Sequence, residues 1–490
     1  MSAPASVSAA RTARLVGDVS ASRPAYRALA DALRRAVADG RIPVGAKVPS
    51  ERDLTTALEV SRTTVTRAYD LLRESGYLVS RRGSGSVTAL PHGERDRASG
   101  GLYHREVAEG VLDLTCAAGR APAGILEAYE RALERLPAFL AGTGYLTVGV
   151  PELREVIAAR YTARGLPTTA DQVLVTSGSL AAVGIAVRAV VGRADRVLVE
   201  NPSFPNTVDA LRGAGARLTT LAVDPEGWDL EEAQVVVRRT AARAAFLIPD
   251  FHNPTGALLD DAGRAHLAAS LDRVGTVAVV DESVVDIDLS GGEPLPLPFA
   301  AHSPSALLVG GASKSHWGGL RTGWLRVPRG ALTRHVEARV TGDLGAPVLE
   351  QLVLLELLRE RPTPAPEHLD ALRTSRTALA QALRRELPDL AFTVPRGGLS
   401  LWCALPDDLG ATALAAAAED EGLVLAPGPR FAVHGGLDGR LRLPHALPPE
   451  TMTEVVTRLA RAAARLRTGG RRPVGRGGVR AASGPRPIVA

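Results

Sequence analysis

Apolar positions along this chain change period several times, and each change marks a predicted element. From residue 24 to residue 72 they recur every three or four positions. Tyr26, Leu29, Ala30, Leu33 and Val37 share one helical face, which Gly40 and Pro43 bring to an end. Ser50 caps a second helix, with Asp53 three residues on as an approximate capping box and Leu54 and Leu58 on the buried side. Ser61 opens a third helix after a very short turn, with Val65, Ala68, Tyr69 and Leu72 as its stripe. The period then shortens to that of a strand over Tyr77–Ser80. A basic turn follows at Arg81–Gly85, and a return strand at Ser86–Thr88.

Beyond a polar stretch at 90–112, apolar runs alternate with helical patterns. The strand-like runs are Gln172–Thr176, Arg196–Glu200, Ala244–Ile248, Thr276–Val280 and Ala306–Val309. Strands alternating with helices predict an α/β class, a mostly parallel sheet covered by helices. From about Pro328 the pattern becomes long helices, and a small α+β portion follows from Phe392 to Leu466. The expected domains are a flexible N-terminal arm at 1–23, a head at 24–89, a linker at 90–112, a large domain at 113–465 and a basic disordered tail at 466–490. No run of 18 apolar residues suggests a membrane span.

Charge sharpens this division. Residues 1–100 carry 16 basic and 10 acidic residues, and residues 465–490 carry seven arginines and no acid, so the middle of the chain is acidic. A basic head and tail suit a polyanion. In the head, two short helices, a tight turn and a basic hairpin make a winged helix-turn-helix. Arg62, Thr63, Thr64, Thr66 and Arg67 form the outer face of its third helix and have no duty in the core. That helix suits a major groove, and Arg81 and Arg82 of the wing suit a backbone or minor groove. The only cysteines, Cys116 and Cys403, imply no disulfide framework and fit a reducing cytoplasm.

The candidate chemistry begins with a bias. Of 58 basic residues only two, Lys47 and Lys314, are lysine. An amine can lose its proton and attack a carbonyl, whereas a guanidinium cannot. Lys314 follows Ser313 in a Gly/Ala/Ser run, and Arg321 stands seven residues on, suited to a bidentate phosphate contact. Pyridoxal phosphate, an aldehyde with a phosphate tail, needs both groups. Other polar groups end the predicted strands, where open α/β sheets bind ligands. Ser177, Gly178 and Ser179 suit a phosphate at a helix start. Phe204 offers a ring for stacking, Asn253 sits in a tight turn, and Asp281 closes an apolar strand where a lone charge is costly.

The stretch GRIPVGAKVPSERDLTTALEVSRTTVTRAYDLLRESGYLVSRRGSGSVT resembles the DNA-binding domain of GntR-type regulators over about residues 24–89. The resemblance implies that Arg52, Arg62, Thr64 and the wing glycines Gly83 and Gly85 contact or shape DNA, with Lys47 placed to approach phosphate. About residues 111–465 resemble a fold-type I aminotransferase. By that likeness Lys314 carries the Schiff base, Asp281 pairs the pyridine nitrogen, and Asn253 bonds the ring hydroxyl. Phe204 stacks, and Ser177, Gly178, Ser179 and Arg321 hold the phosphate. Tyr145 matches a tyrosine that reaches the partner's site in such dimers. Arg442 matches the arginine for a substrate α-carboxylate, with Arg440 as its competitor.

Head and body together resemble the MocR subgroup of bacterial regulators, in which the seven-residue step from Lys314 to Arg321 is usual. This resemblance implies a cytoplasmic, head-to-tail homodimeric regulator that binds an operator and senses pyridoxal phosphate or a small amino compound. Two departures count against efficient transamination. Ser283 and Val284 stand where a tyrosine is usual, and Gly311 stands where a hydroxyl is often found. The rival readings are an active aminotransferase carrying a DNA-binding head, and a DNA-binding scaffold without cofactor.

Overall fold

The structure, a computed structural model, describes residues 6–17, 19, 24–38, 42, 46–81, 85–89, 110–119, 121–122 and 124–468. Contacts divide the chain into two compact units. The first takes residues 1–115, 404–441 and 458–488; the second takes 116–403, 442–457 and 489–490.

In the first unit the head forms as its pattern predicts. Helices α2 (Ala25–Ala38), α3 (Glu51–Leu58) and α4 (Arg62–Glu74) precede the hairpin of β1 (Leu78–Arg81) and β2 (Gly85–Thr88). Ser50 Oγ accepts from Asp53 N at 3.1 Å, and Ser61 Oγ accepts from Thr64 N at 3.1 Å, so both predicted caps are made. Glu59, in the left-handed region at φ 53°, turns the chain between α3 and α4. Leu29, Leu33, Leu54, Val65, Tyr69 and Leu72 form the core. Tyr69 also donates its hydroxyl to Pro49 O at 2.9 Å, which ties α4 to the entry of α3.

The structure differs from the expectation of a flexible arm. Ala9–Val16 forms a helix, α1, capped by Ser8, and Val7, Thr12 and Val19 are buried against the head. A helix of eight residues has too few internal hydrogen bonds to hold alone. Its stability comes from partners distant in sequence, which local periodicity does not report. Arg82, Gly83, residues 90–109 of the linker and residues 469–490 of the tail lie outside the described residues. In the rest of this unit β3 (Leu112–Asp113) pairs in parallel with Leu423–Val424. The helix Ala411–Asp420 is capped by Asp438, which accepts from Thr412 N at 2.8 Å.

The second unit is built on seven strands. They are β4 (Val173–Thr176), β5 (Arg196–Asn201), β6 (Arg217–Ala222), β7 (Ala244–Leu247), β8 (Val277–Asp281), β9 (Leu307–Gly311) and β10 (Gly323–Arg326), in the order β4-β10-β9-β8-β7-β5-β6. Only β10 runs antiparallel to its neighbours. Strands β4, β7 and β9 are buried end to end, as a sheet covered on both faces requires. All the candidate strand-end residues therefore emerge on one edge. Because β10 is reversed, its first residue, Gly323, pairs with both Thr176 and Gly311, which brings Arg321 to that same edge. Long helices follow at Val348–Glu360 and Pro366–Glu386. Among the described residues no helix is long and apolar enough to cross a membrane.

Candidate functional site

Lys314 sits on the turn after β9 and donates from Nζ to Ala117 O at 3.0 Å. Burial pushes its amine down to about 8, and the Arg442 and Arg321 guanidiniums push the same way, while Cys116 and Asp281 oppose them. At that value about a tenth of the amine is unprotonated at pH 7, against well under a thousandth for an ordinary lysine. The environment thus raises the share of free amine at the lysine that the residue bias singles out.

Asp281 ends β8 and accepts from Ser283 N at 2.8 Å. Burial lifts its carboxyl above the ordinary carboxylate range, with Glu200 adding to the rise and Ser283 and Lys314 working against it. A carboxylate so placed gains from a cationic N–H partner. Asn253 Oδ1 accepts from Arg442 Nη1 at 3.3 Å. Arg442 is completely buried and stands beside Asn253 and Lys314, whereas Arg440 is half-buried. Ala117, Asn253, Val284, Lys314 and Leu399 line a cavity of about 30 Å³. Val284 makes that wall apolar.

The candidate phosphate cradle is marked by its glycines. Arg321, in the left-handed region at φ 46°, reaches back to Ser177 O at 3.4 Å. Gly178, at φ 94°, lies directly beneath its guanidinium, since a Cβ there would sit 2.8 Å from Arg321 Nη2. Ser179 then begins the helix Ser179–Val190, whose first N–H groups lack partners within the helix. Gly311 also has a local reason. A Cβ at that position would come within 3.2 Å of Ser179 Cβ, so a hydroxyl-bearing residue would crowd the cradle. Phe204, half-buried, starts the helix Pro205–Gly213 just past β5. Ser313 is half-buried beside Lys314. Tyr145 is 67% exposed, and its phenol takes no part in the hydrogen bonds described for this site.

Of the DNA-facing candidates, Arg52, Arg62 and Thr63 are exposed, and Thr63 and Thr64 bond to the Ser61 cap at 2.8 Å. Arg81 closes β1, opposite Gly85. Arg67, by contrast, stacks on Tyr26 at 5.4 Å.

Sequence reasoning missed a buried polar group behind Asn253. Glu200, fully buried at the end of β5, accepts from Trp228 Nε1 at 2.9 Å and Ile248 N at 2.7 Å, and lies 3.3 Å from His252 Nε2. On the other side of the ring, Thr255 N donates to His252 Nδ1 at 3.4 Å and Thr255 Oγ1 lies 2.9 Å away. This braces the turn that carries Asn253. The signal was present, because Glu200 ends an apolar strand just as Asp281 does. A second brace lies behind the lysine turn. Arg160 grips both oxygens of Asp286 at 2.8 and 2.9 Å, and burial pushes the nearby His316 imidazole down to about 4, so it is neutral.

These elements define a class: a fold-type I pyridoxal-phosphate-binding domain joined to a winged-helix head. Residues 118–459 match the model of the class I and II aminotransferases, and residues 25–87 match that of the bacterial regulatory proteins of the gntR family. The chain therefore belongs to the class I and II aminotransferase family and carries a GntR-type head, the arrangement of the MocR regulators. It is 32% identical to a 2-aminoadipate transaminase of Thermus thermophilus over 70% of this chain and 89% of that one. It is 28% identical to the "Probable rhizopine catabolism regulatory protein MocR" of Rhizobium meliloti over 94% of this chain and 98% of that one. Among solved structures, LysN, the α-aminoadipate aminotransferase of Thermus thermophilus complexed with N-(5'-phosphopyridoxyl)-L-leucine, superposes with a TM-score of 0.66. The identity is 31%, over 75% of this chain and 95% of that chain.

Gly178→Ala tests the cradle. The new methyl displaces the free end of Arg321 and adds strain of about 1 kcal/mol at a positive φ. Pyridoxal phosphate affinity, measured by absorbance titration, should fall about tenfold, the equivalent of one lost charged hydrogen bond. Thermal stability should change little. Unchanged affinity would remove Arg321 from the phosphate site.

Proposed function

We propose that this chain is a cytoplasmic transcription regulator whose DNA binding is set by what occupies the cleft at Lys314, either pyridoxal phosphate alone or an amino compound that reacts with it. The observation that carries the reading is the presence, in one chain, of an intact lysine–carboxylate–arginine cleft and a head whose outward residues are not needed for its core. Bound at this site, pyridoxal phosphate supplies an aldehyde within reach of Lys314 and a ring that withdraws electrons. The protein does the rest. Arg321 and Ser177–Ser179 hold the phosphate, Phe204 covers the ring, Asn253 bonds its hydroxyl, and Asp281 keeps a proton at its nitrogen. Lys314 supplies the unprotonated amine, and Arg442 orients the carboxylate of an incoming amino compound. The difference in free energy between occupied and empty states is then available to shift the head, a coupling between two sites.

A head-to-tail homodimer belongs to this reading. Leu126, Leu133 and Leu140 are exposed by half or more at seven-residue spacing, and Tyr145 follows them, also exposed. An apolar row of this kind on a folded surface marks an interface. A second copy of the chain laid on it lets Tyr145 reach the neighbouring site and presents two heads to paired DNA half-sites.

An aminotransferase reading keeps one specific support, the buried Arg442 poised for an α-carboxylate. Val284 and Ser283 weigh against it, because no phenol shares the load of Asn253. Turnover with a keto acid distinguishes the two.

The regulatory reading is tested at Arg62, which is exposed at the start of α4. Arg62→Ala should cost about 1–3 kcal/mol in binding a duplex from the gene's own upstream region, and much less on a scrambled duplex. Cofactor affinity should not change. Equal binding of both duplexes by parent and variant would reduce the head to a packing module. In sedimentation the chain should run at twice its 51.2 kDa mass, and a monomer would remove the homodimer from the reading.

A further inference from the structure

The N-terminal segment does more than cover the core of the head. Ser6 pairs in parallel with Lys47, and Val7 N donates to Lys47 O at 3.0 Å. Lys47 pairs in turn, antiparallel, with Val87 of the wing, and Val48 N donates to Ser86 O at 3.1 Å. Segment 6–7, segment 46–48 and β2 thus form one small sheet. Because the first two run in the same direction, each passes into a helix at the same end. Ser8 caps α1 two residues after Ser6, and Ser50 caps α3 three residues after Lys47. The two helices leave the sheet side by side and pack on one another.

The side chains sort by face. Val7 and Thr12 turn inward, and Arg11 and Arg14, three residues apart and so on one face, are exposed. Among the described residues neither has an acidic partner. Nearby arginines differ: Arg34 pairs with Asp31, and Arg73 with Asp70 and Glu51. Glu51, the first residue of α3, is also taken, since Thr66 of α4 donates to it at 2.7 Å. That bond ties the start of α3 to the helix whose exposed residues suit a major groove. The side chain of Lys47 crosses the wing at Gly85, where a Cβ would stand 3.3 Å from Lys47 Cε. Arg11 and Arg14 of α1, Lys47 and the wing strand β2 thus belong to one connected group of elements, which α3 and its Glu51–Thr66 bond link to α4.

We propose that α1 is part of the DNA-contact surface, with Arg11 and Arg14 binding duplex phosphates that flank the base pairs read by α4. The proposal rests on the regulatory reading of the head. Its partner is the phosphate backbone, so these contacts add affinity and position the head without adding sequence preference. Side chains that hold neither the core nor an ion pair are free to serve this contact without cost to folding.

The test is a binding titration of the full-length R11A/R14A variant at several salt concentrations, on the upstream duplex and on a scrambled one. Each phosphate contact contributes about 0.9 to the slope of log affinity against log salt. The variant should lose about 2 from that slope and bind about tenfold more weakly at physiological salt on both duplexes, with the preference between them unchanged. R11K/R14K, which keeps the charge, should retain the parent's slope and controls for any effect on folding. Parental slope and affinity in R11A/R14A would overturn the proposal and leave α1 as a brace, with the regulatory reading intact. A parent that binds neither duplex would overturn both.

Discussion

The amine of Lys314 is the point on which the second unit depends, and its chemistry is set by where its charge is not welcome. Burial and two guanidiniums, Arg321 and Arg442, weaken its hold on the proton, while Cys116 and the Asp281 carboxylate strengthen it. The arginines are also the groups that the family resemblance assigns to a ligand, Arg321 to a phosphate and Arg442 to a carboxylate. A ligand carrying both anions would offset the positive charge that lowers the amine's proton affinity. Asp281 adds to the balance: burial makes its negative charge costly, and a cationic N–H partner would relieve that cost.

This arrangement explains the sheet topology in functional terms. Five of the seven strands end near one edge, and each end delivers a different group: Ser177–Ser179 after β4, Phe204 after β5, Asn253 after β7, Asp281 from β8 and Lys314 after β9. The reversed strand β10 adds Arg321 to that edge, at the close approach that Gly178 and Gly311 permit. Val284 and Gly311, which read in the sequence as departures from an efficient transaminase, are accommodated here without disturbing the lysine, the aspartate or the phosphate cradle.

Much of this was legible in the residues. The five strands that periodicity predicts are present within a residue or two of their expected ends, because buried parallel strands are continuous apolar runs. Two were not read. In β6, RLTTLA mixes polar and apolar positions as an edge strand does, and in β10 the short run after Arg321 is hidden behind glycine turns. The helix α1 was missed for a different reason. Its composition is that of a solvated arm, and the strand pairing that anchors it is made with Lys47, far along the chain. Glu200 and His252 escaped notice because a charged residue at a strand end was credited with a role at Asp281 and not at Glu200, two strands away. Lys47 and Lys314, the two lysines of the chain, turn out to be used differently. Lys314 is a sheltered amine of lowered proton affinity, and Lys47 is an exposed amine laid across the wing.

The central claim is that occupancy at Lys314 is felt by the head, and it is tested most directly by linkage. DNA affinity is measured by anisotropy with and without saturating pyridoxal phosphate, in the parent and in Lys314→Ala. The account predicts that the cofactor shifts the parent's affinity about fivefold or more, as a coupling of about 1 kcal/mol requires, and leaves the variant's unchanged. An identical affinity in the parent with and without cofactor, or an equal shift in Lys314→Ala, would contradict it.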